Sequence, residues 1–188
     1  MNSLRKGRRA PLPLNEAKLQ ELALRYVGKY ATTRAKLRSY LARKLREHGW
    51  QADREPDFEG LANRLAELGY IDDASYALGQ SRSLSARGLG KRRLTNKLRL
   101  AGVDETDSEA ANAHADSAAV TAALRLAERR RIGPFAAASA DREQREKWIA
   151  VMIRAGHSFA LARAIAGISP GAAIDISDLK NRAGLNED

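Results

Sequence analysis

Cysteine is absent from the 188 residues. That excludes disulfides and thiolate metal sites and carries the expectation of a reducing compartment, the cytoplasm. Aromatic residues make up only 5% and prolines number five, so the chain is poor in residues that favour strands and rich in Ala, Leu, Arg and Glu, which favour helix. Long apolar runs are missing too. No stretch approaches the roughly 18 apolar residues needed to cross a bilayer, and the basic start MNSLRKGRRAPLPLN lacks the apolar core of a signal peptide. The expectation is a soluble, all-α protein with no membrane partner.

What is present is a 44% hydrophobic content, enough for a core, and a net charge of +10. Such a balance attracts polyanions or acidic protein surfaces. Charge alone does not choose between them.

Three segments share one pattern: YLARKLREHGW (40–50), RLTNKLRLAGV (93–103) and KWIAVMIRAGH (147–157). Apolar residues stand eight and four positions before a glycine in each, namely Leu41 and Leu45 before Gly49, Leu94 and Leu98 before Gly102, and Trp148 and Met152 before Gly156. The glycines lie 53 and 54 residues apart, a period long enough for about three short helices. If each glycine is the left-handed residue past a helix end, the next residue touches the side chain four before the glycine. Leu45/Trp50 and Leu98/Val103 fit this pairing, and Met152/His157 fits it less well.

Helical spacing joins Leu19, Leu22, Ala23, Tyr26, Val27 and Tyr30; Thr32 or Thr33 caps a second helix carrying Leu37, Tyr40, Leu41 and Leu45. Pro56 and Asp57 open a third with Phe58, Leu61, Leu65 and Leu68, which Gly69 closes. In LGYIDDASYA (68–77), the adjacent carboxylates read as a helix start: Asp72 as N-cap, Asp73 in the first turn, Ile71 stapled to Tyr76. A metal or acid–base reading is weaker, because neighbouring helical residues point about 100° apart and no further ligands stand nearby. The turn Arg87-Gly88-Leu89-Gly90 precedes a helix from Lys91 to Ala101, and Asp104 to Asp107 opens an alanine-rich one. A third unit begins near Ser117 or Ala118, breaks at Gly133-Pro134, resumes at about Asp141 and ends in a short helix started by Ser158. After Ser169-Pro170-Gly171 a polar, partly disordered tail is expected.

The stretch GYIDDASYALGQSRSLSARGLGKRRLTNKLRLAGV (69–103) resembles the central module of the RecX family of bacterial recombination regulators: Gly-Tyr-Ile-Asp-Asp, a short helix, then Arg-Gly-x-Gly and a basic helix ending in Leu-x3-Gly-Val. TTRAKLRSYLARKLREHGW (32–50) is similar to the family's first repeat, and Trp148 to Gly156 aligns with its third. The resemblance implies three tandem three-helix modules in an elongated, curved array: a basic flexible tail at 1–16, modules at 17–68, 69–116 and 117–168, and a C-terminal tail at 169–188. It implies that the protein is not an enzyme; a monomer without cofactor or metal is the accompanying expectation from the residues. Its partner would be the RecA recombinase filament, lodged on across neighbouring protomers and inhibited in growth, ATPase activity and strand exchange, with single-stranded DNA as a possible direct partner.

Charge distribution bears on that implication. From Arg25 to Arg46 there are eight Lys or Arg and no acid, and from Ser81 to Leu100 seven and no acid; Glu47 to Asp73 holds eight acids against two arginines, and 104–116 five acids with no Lys or Arg. With Leu94, Leu98 and Ala101 on one helix face, Arg92, Asn96 and Arg99 point outward, and the same wheel turns Ser39, Arg43 and Arg46 outward in the first module. Arg34 and Arg87 lie in the preceding turns; Lys36, Lys91, Arg93 and Lys97 flank the core. The candidate binding residues are therefore Arg34, Arg43, Arg46, Arg87, Lys91, Arg92, Arg93, Lys97 and Arg99. For any one arginine, a solubilising role is the competing reading, but acid-free blocks at the module period favour binding.

In the third module the matching outward positions hold Glu146, Ala150 and Ile153, and Ile149, Val151 and Ile153 make that helix apolar nearly all round. Either the tail, with Ile174, Ile176 and Leu179, covers it, or it is an exposed patch for a partner. Covering by the tail is the expectation. Gly88-Leu89-Gly90 lacks the strand and the further glycines of a phosphate loop, and His48, His114 and His157 lack ligand spacing. Trp50 and Trp148 follow the repeat pattern and read as core anchors. Two other functions stay open: a helix-turn-helix DNA reader using 91–101, and an adaptor that meets an acidic protein without nucleic acid.

Overall fold

In the computed structural model, which describes residues 12–185, the described chain is all-helical, with ten α-helices and one short 3-10 turn. They are α1 (Glu16–Val27), α2 (Arg34–His48), α3 (Phe58–Glu67), α4 (Asp73–Ala86), α5 (Lys91–Ala101), α6 (Glu105–Ser117), α7 (Ala119–Arg130), α8 (Arg142–Arg154), α9 (Phe159–Ala166) and α10 (Ile176–Ala183), with the 3-10 turn at Gly133–Phe135. Local chemistry starts most of them. Asn15, Thr33, Asp57, Asp141 and Ser158 each accept a hydrogen bond from the backbone N–H three residues on, at 2.7–3.2 Å. Of the two candidate caps for α2, Thr33 takes the role.

The chain divides into two compact units, Met1–Asp73 and Ala74–Asp188. In the first, Leu14, Leu19, Ala23, Leu37, Leu41, Ala62, Leu65 and Ile71 form one buried cluster. Leu14 belongs to the packed structure: its backbone pairs with the segment at Trp50, its N–H donating to Gly49 O at 3.0 Å and its carbonyl accepting from Gln51 N at 2.8 Å. The expected flexible tail therefore gives way to ordered chain by Leu14, and residues 1–11 of that tail lie outside the described residues.

The second unit holds two apolar clusters. One gathers Tyr76, Leu84, Leu94, Leu98, Ala101, Ala111 and Ala115; the other gathers Val120, Leu126, Ile132, Met152, Leu161, Ile165 and Leu179. Leu89 packs against both. Around it the turn before α5 is fastened to the turn after α8: Gly90 N donates to Ala155 O at 3.0 Å, Arg92 N to Gly156 O at 3.2 Å, and His157 Nε2 to Gly88 O at 3.1 Å. A Cβ on Gly90 would stand 2.4 Å from the carbonyl carbon of Gly156. Glycine at this position lets two backbones touch, and a side chain there would push them apart.

The three repeat glycines end their helices differently. Gly102 is left-handed, and Val103 N donates to Leu98 O at 3.1 Å, as the Schellman reading requires. His157 N makes the equivalent bond to Met152 O at 3.2 Å, so the pair that fits least by residue type fits by geometry. Gly49 departs, with φ 80° and ψ 175°: the chain straightens at once, and Trp50 pairs with Leu14 instead.

The tail is also corrected. Residues after Gly171 form α10, capped by Asp175, whose carboxylate accepts from Ser177 N at 2.8 Å and Asp178 N at 3.1 Å. Leu179 is buried at 1% exposure and Ile174 packs beside it, whereas Ile176 stays half exposed.

Candidate partner-binding surface

The face of α5 opposite its apolar seam is built as its spacing requires. Leu94, Leu98 and Ala101 are buried; Arg92, Asn96, Lys97 and Arg99 are exposed. Because the seam repeats every three to four residues, the cations between have no inward direction left to take. Arg92, Lys97 and Arg99 have no side-chain partner among the described residues.

Two of the flanking cations, Lys91 and Arg93, are spent inside the fold. Lys91 Nζ pairs with Asp116 Oδ2 at 2.5 Å, fixing α5 to the end of α6, and Arg93 Nε donates to Arg154 O at 2.9 Å across the joint with α8. Arg87 is exposed in the turn, and its carbonyl accepts from Arg129 Nη2 at 3.0 Å. Arg129 and its neighbours Arg130 and Arg131, all exposed at the end of α7, thus stand beside the Arg87 turn. The run of three arginines is visible in the sequence; its adjacency to Arg87 is a tertiary fact.

In the first unit the nominated residues behave less uniformly. Arg34 is held by Asp73, Nε to Oδ2 at 3.1 Å, while its backbone N–H donates to Oδ1 of the same carboxylate at 3.0 Å. Its first role is structural. Arg43 is exposed, lies over the Tyr40 ring at 5.6 Å and approaches Glu47 at 3.9 Å. A hydrogen bond from Lys44 Nζ at 2.6 Å holds the Glu47 carboxyl below its ordinary value, so this acid stays charged beside Arg43. Arg46 is exposed without a side-chain partner among the described residues.

Aromatic rings flank these cations. Tyr26 stacks on Tyr40 with centroids 4.3 Å apart, Tyr30 tilts against Tyr26 at 5.4 Å, and Lys29 lies over Tyr30 at 5.4 Å. Tyr30 remains half exposed. Sequence spacing places these tyrosines in the core; the structure makes them a rim between core and cations.

No group of three or more His, Asp or Glu side chains among the described residues is placed to hold a metal ion. The Asp72/Asp73 pair instead opens α4, with Asp73 buried and bound to Arg34. No helix among the described residues is long and apolar enough to cross a membrane.

Comparison with protein-family models returns no match. Among curated proteins, the regulatory protein RecX of Myxococcus xanthus (strain DK1622) is 30% identical over 173 residues, spanning 88% of this chain and 92% of the relative. The regulatory protein RecX of Mycobacterium sp. (strain KMS) is 38% identical over 97 residues, about half of each chain. Among solved structures, the crystal structure of RecX from Lactobacillus salivarius superposes with a TM-score of 0.57 at 23% identity, covering 79% of this chain and 92% of that one. A second crystal structure, of regulatory protein RecX, gives 0.57 at 22% identity, covering 80% and 70%. These two likenesses bear on the fold, and the near full-length similarity to the Myxococcus protein bears on descent. With the helical architecture and the Arg-Gly-x-Gly joint in place, this chain belongs to the RecX family of regulatory proteins.

Proposed function

We propose that the protein is a non-enzymatic regulator of homologous recombination that binds a RecA filament on single-stranded DNA and opposes its extension, ATPase activity and strand exchange. The observation that carries this reading is the α5 face, where Arg92, Lys97 and Arg99 stand outward, opposite buried Leu94 and Leu98, with Arg87 in the turn before them. Arg43 and Arg46 on α2 supply a comparable face in the first unit. Many modest charged contacts spread over an extended partner give binding that is strong in sum and sensitive to salt. We read the chain as three modules, at 17–68, 69–116 and 117–168, a division supported by its three apolar clusters.

The test is RecA-catalysed ATP hydrolysis on single-stranded DNA with this protein titrated in. Inhibition complete below one copy per RecA protomer is expected. Inhibition only when the DNA itself is saturated means competition for DNA, and no effect on RecA with tight binding to one duplex means a helix-turn-helix reader.

A further inference from the structure

The third module has an apolar helix face, and α10 does not close it. α10 packs on α9 and α7 and inserts Leu179 into the cluster around Met152. On the other side, α8 lines an open groove of about 890 Å³ with Arg142, Arg145, Ile149 and Ile153, positions three or four apart along a single stripe. The facing wall comes from Phe159 and Arg163 on α9 and Arg182 on α10. Past Phe159 and Arg163 the groove continues into a recess of about 390 Å³ over Ala160 and Ala164. The eleven steps from Arg142 to Ile153 at about 1.5 Å rise each give a stripe of about 16 Å, three helical turns.

Its chemistry is divided by height. Ile149, Ala150, Ile153 and the half-exposed Phe159 supply an apolar floor, and four arginines stand with one acid, Glu146, in the lining. Arg142 is matched by Glu146 at 3.0 Å, and Arg182 by Asp178 at 3.3 Å. Arg145 commits its Nε to Asp141 O at 3.2 Å, and Arg163 has no side-chain partner among the described residues. The uncompensated charge is positive. The chain's own N-terminal residues 1–11, with Arg5, Lys6, Arg8 and Arg9 and no acid, would be repelled.

From this complementarity we infer that the groove is a docking site for an acidic amphipathic segment of a protein partner, about three helical turns long. Its apolar residues would sit on Ile149, Ile153 and Phe159 and its carboxylates on Arg145 and Arg163. An apolar face laid into a groove and framed by charge is a common mode of peptide recognition. A phosphodiester strand would meet the arginines but leave the isoleucine floor unmatched.

The site is separate from the α5 face in residues and in ligand, so two sets of variants distinguish the readings. The test is fluorescence anisotropy of the full chain with a labelled 18-residue helical peptide carrying leucines on one face and glutamates elsewhere, beside the same peptide with lysine for glutamate. Binding of the glutamate peptide alone is expected, weakened at least tenfold in Arg145→Glu/Arg163→Glu and in Phe159→Ser, and unchanged in Arg87→Glu/Arg92→Glu/Arg99→Glu. All these positions are exposed, and unchanged circular dichroism and Tm certify folding. Failure of the glutamate peptide to bind overturns the proposal, as does equal binding of both peptides. So does displacement by an 18-nucleotide oligo(dT) that itself depends on Arg145 and Arg163, which would make the groove a nucleic-acid site.

Discussion

Asp73 serves two helix starts at once. It opens α4, and its carboxylate accepts both the backbone N–H at the first residue of α2 and the Arg34 side chain. At 6% exposure such a group is costly to bury unless paired, and both oxygens find donors. Asp73→Ala should therefore cost about 1–3 kcal/mol in urea unfolding, whereas Arg92→Ala should stay within about 0.5 kcal/mol; equal costs would contradict this division of labour. His157 is the other residue with a singular environment. Burial pushes its pKa below the usual 6.5, against the opposing effect of its hydrogen bond to Gly88 O. Since a carbonyl can only accept, Nε2 carries the proton in the neutral ring. With the folded value depressed, the unfolded chain takes up a proton first as pH falls below about 6.5. Stability contributed at this position is full above that pH and declines below it. His157→Gln, which keeps an N–H donor, should flatten the dependence of unfolding free energy on pH between 6.5 and 5. An unchanged slope would locate the titration elsewhere.

Among the elements, α10 contrasts with the rest. Thr33, Asp57, Asp141 and Ser158 announce their helices because a cap acts within three residues, and the α5 face is legible because Leu94, Leu98 and Ala101 repeat at helical spacing. α10 has eight residues and one buried anchor, Leu179, so two turns offer no period to detect. Its Asp175 cap is as local as the others, but the packing on α9 and α7 that holds the helix in place is reported by no local pattern. Leu179→Ala should lower stability by about 2–5 kcal/mol, and deleting residues 170–188 should lower the Tm; an unchanged Tm would mean that α10 covers nothing. The candidate surface shows the same divide. Outward direction follows from spacing along one helix. Which cations are already spent does not, because Arg34 meets a partner 39 residues away and Arg93 one 61 residues away.

For the molecule as a whole, the joint of Gly88, Gly90 and Leu89 with residues 154–157 is the feature that organises the second unit. It ties the turn carrying Arg87 and the start of α5 to the end of α8, so the basic face is presented from a rigid base. In the proposed role, that face acts through charge and the joint through geometry, which makes charge reversal the cleanest probe: it removes the attraction and leaves the leucine seam and the backbone joint in place. The decisive measurement is the inhibition of RecA ATP hydrolysis on single-stranded DNA by the Arg87→Glu/Arg92→Glu/Arg99→Glu protein, beside the unaltered chain, with helicity and Tm recorded for both. The account predicts an unchanged fold and at least a tenfold higher concentration for half inhibition; a variant that inhibits as well as the unaltered protein would contradict it.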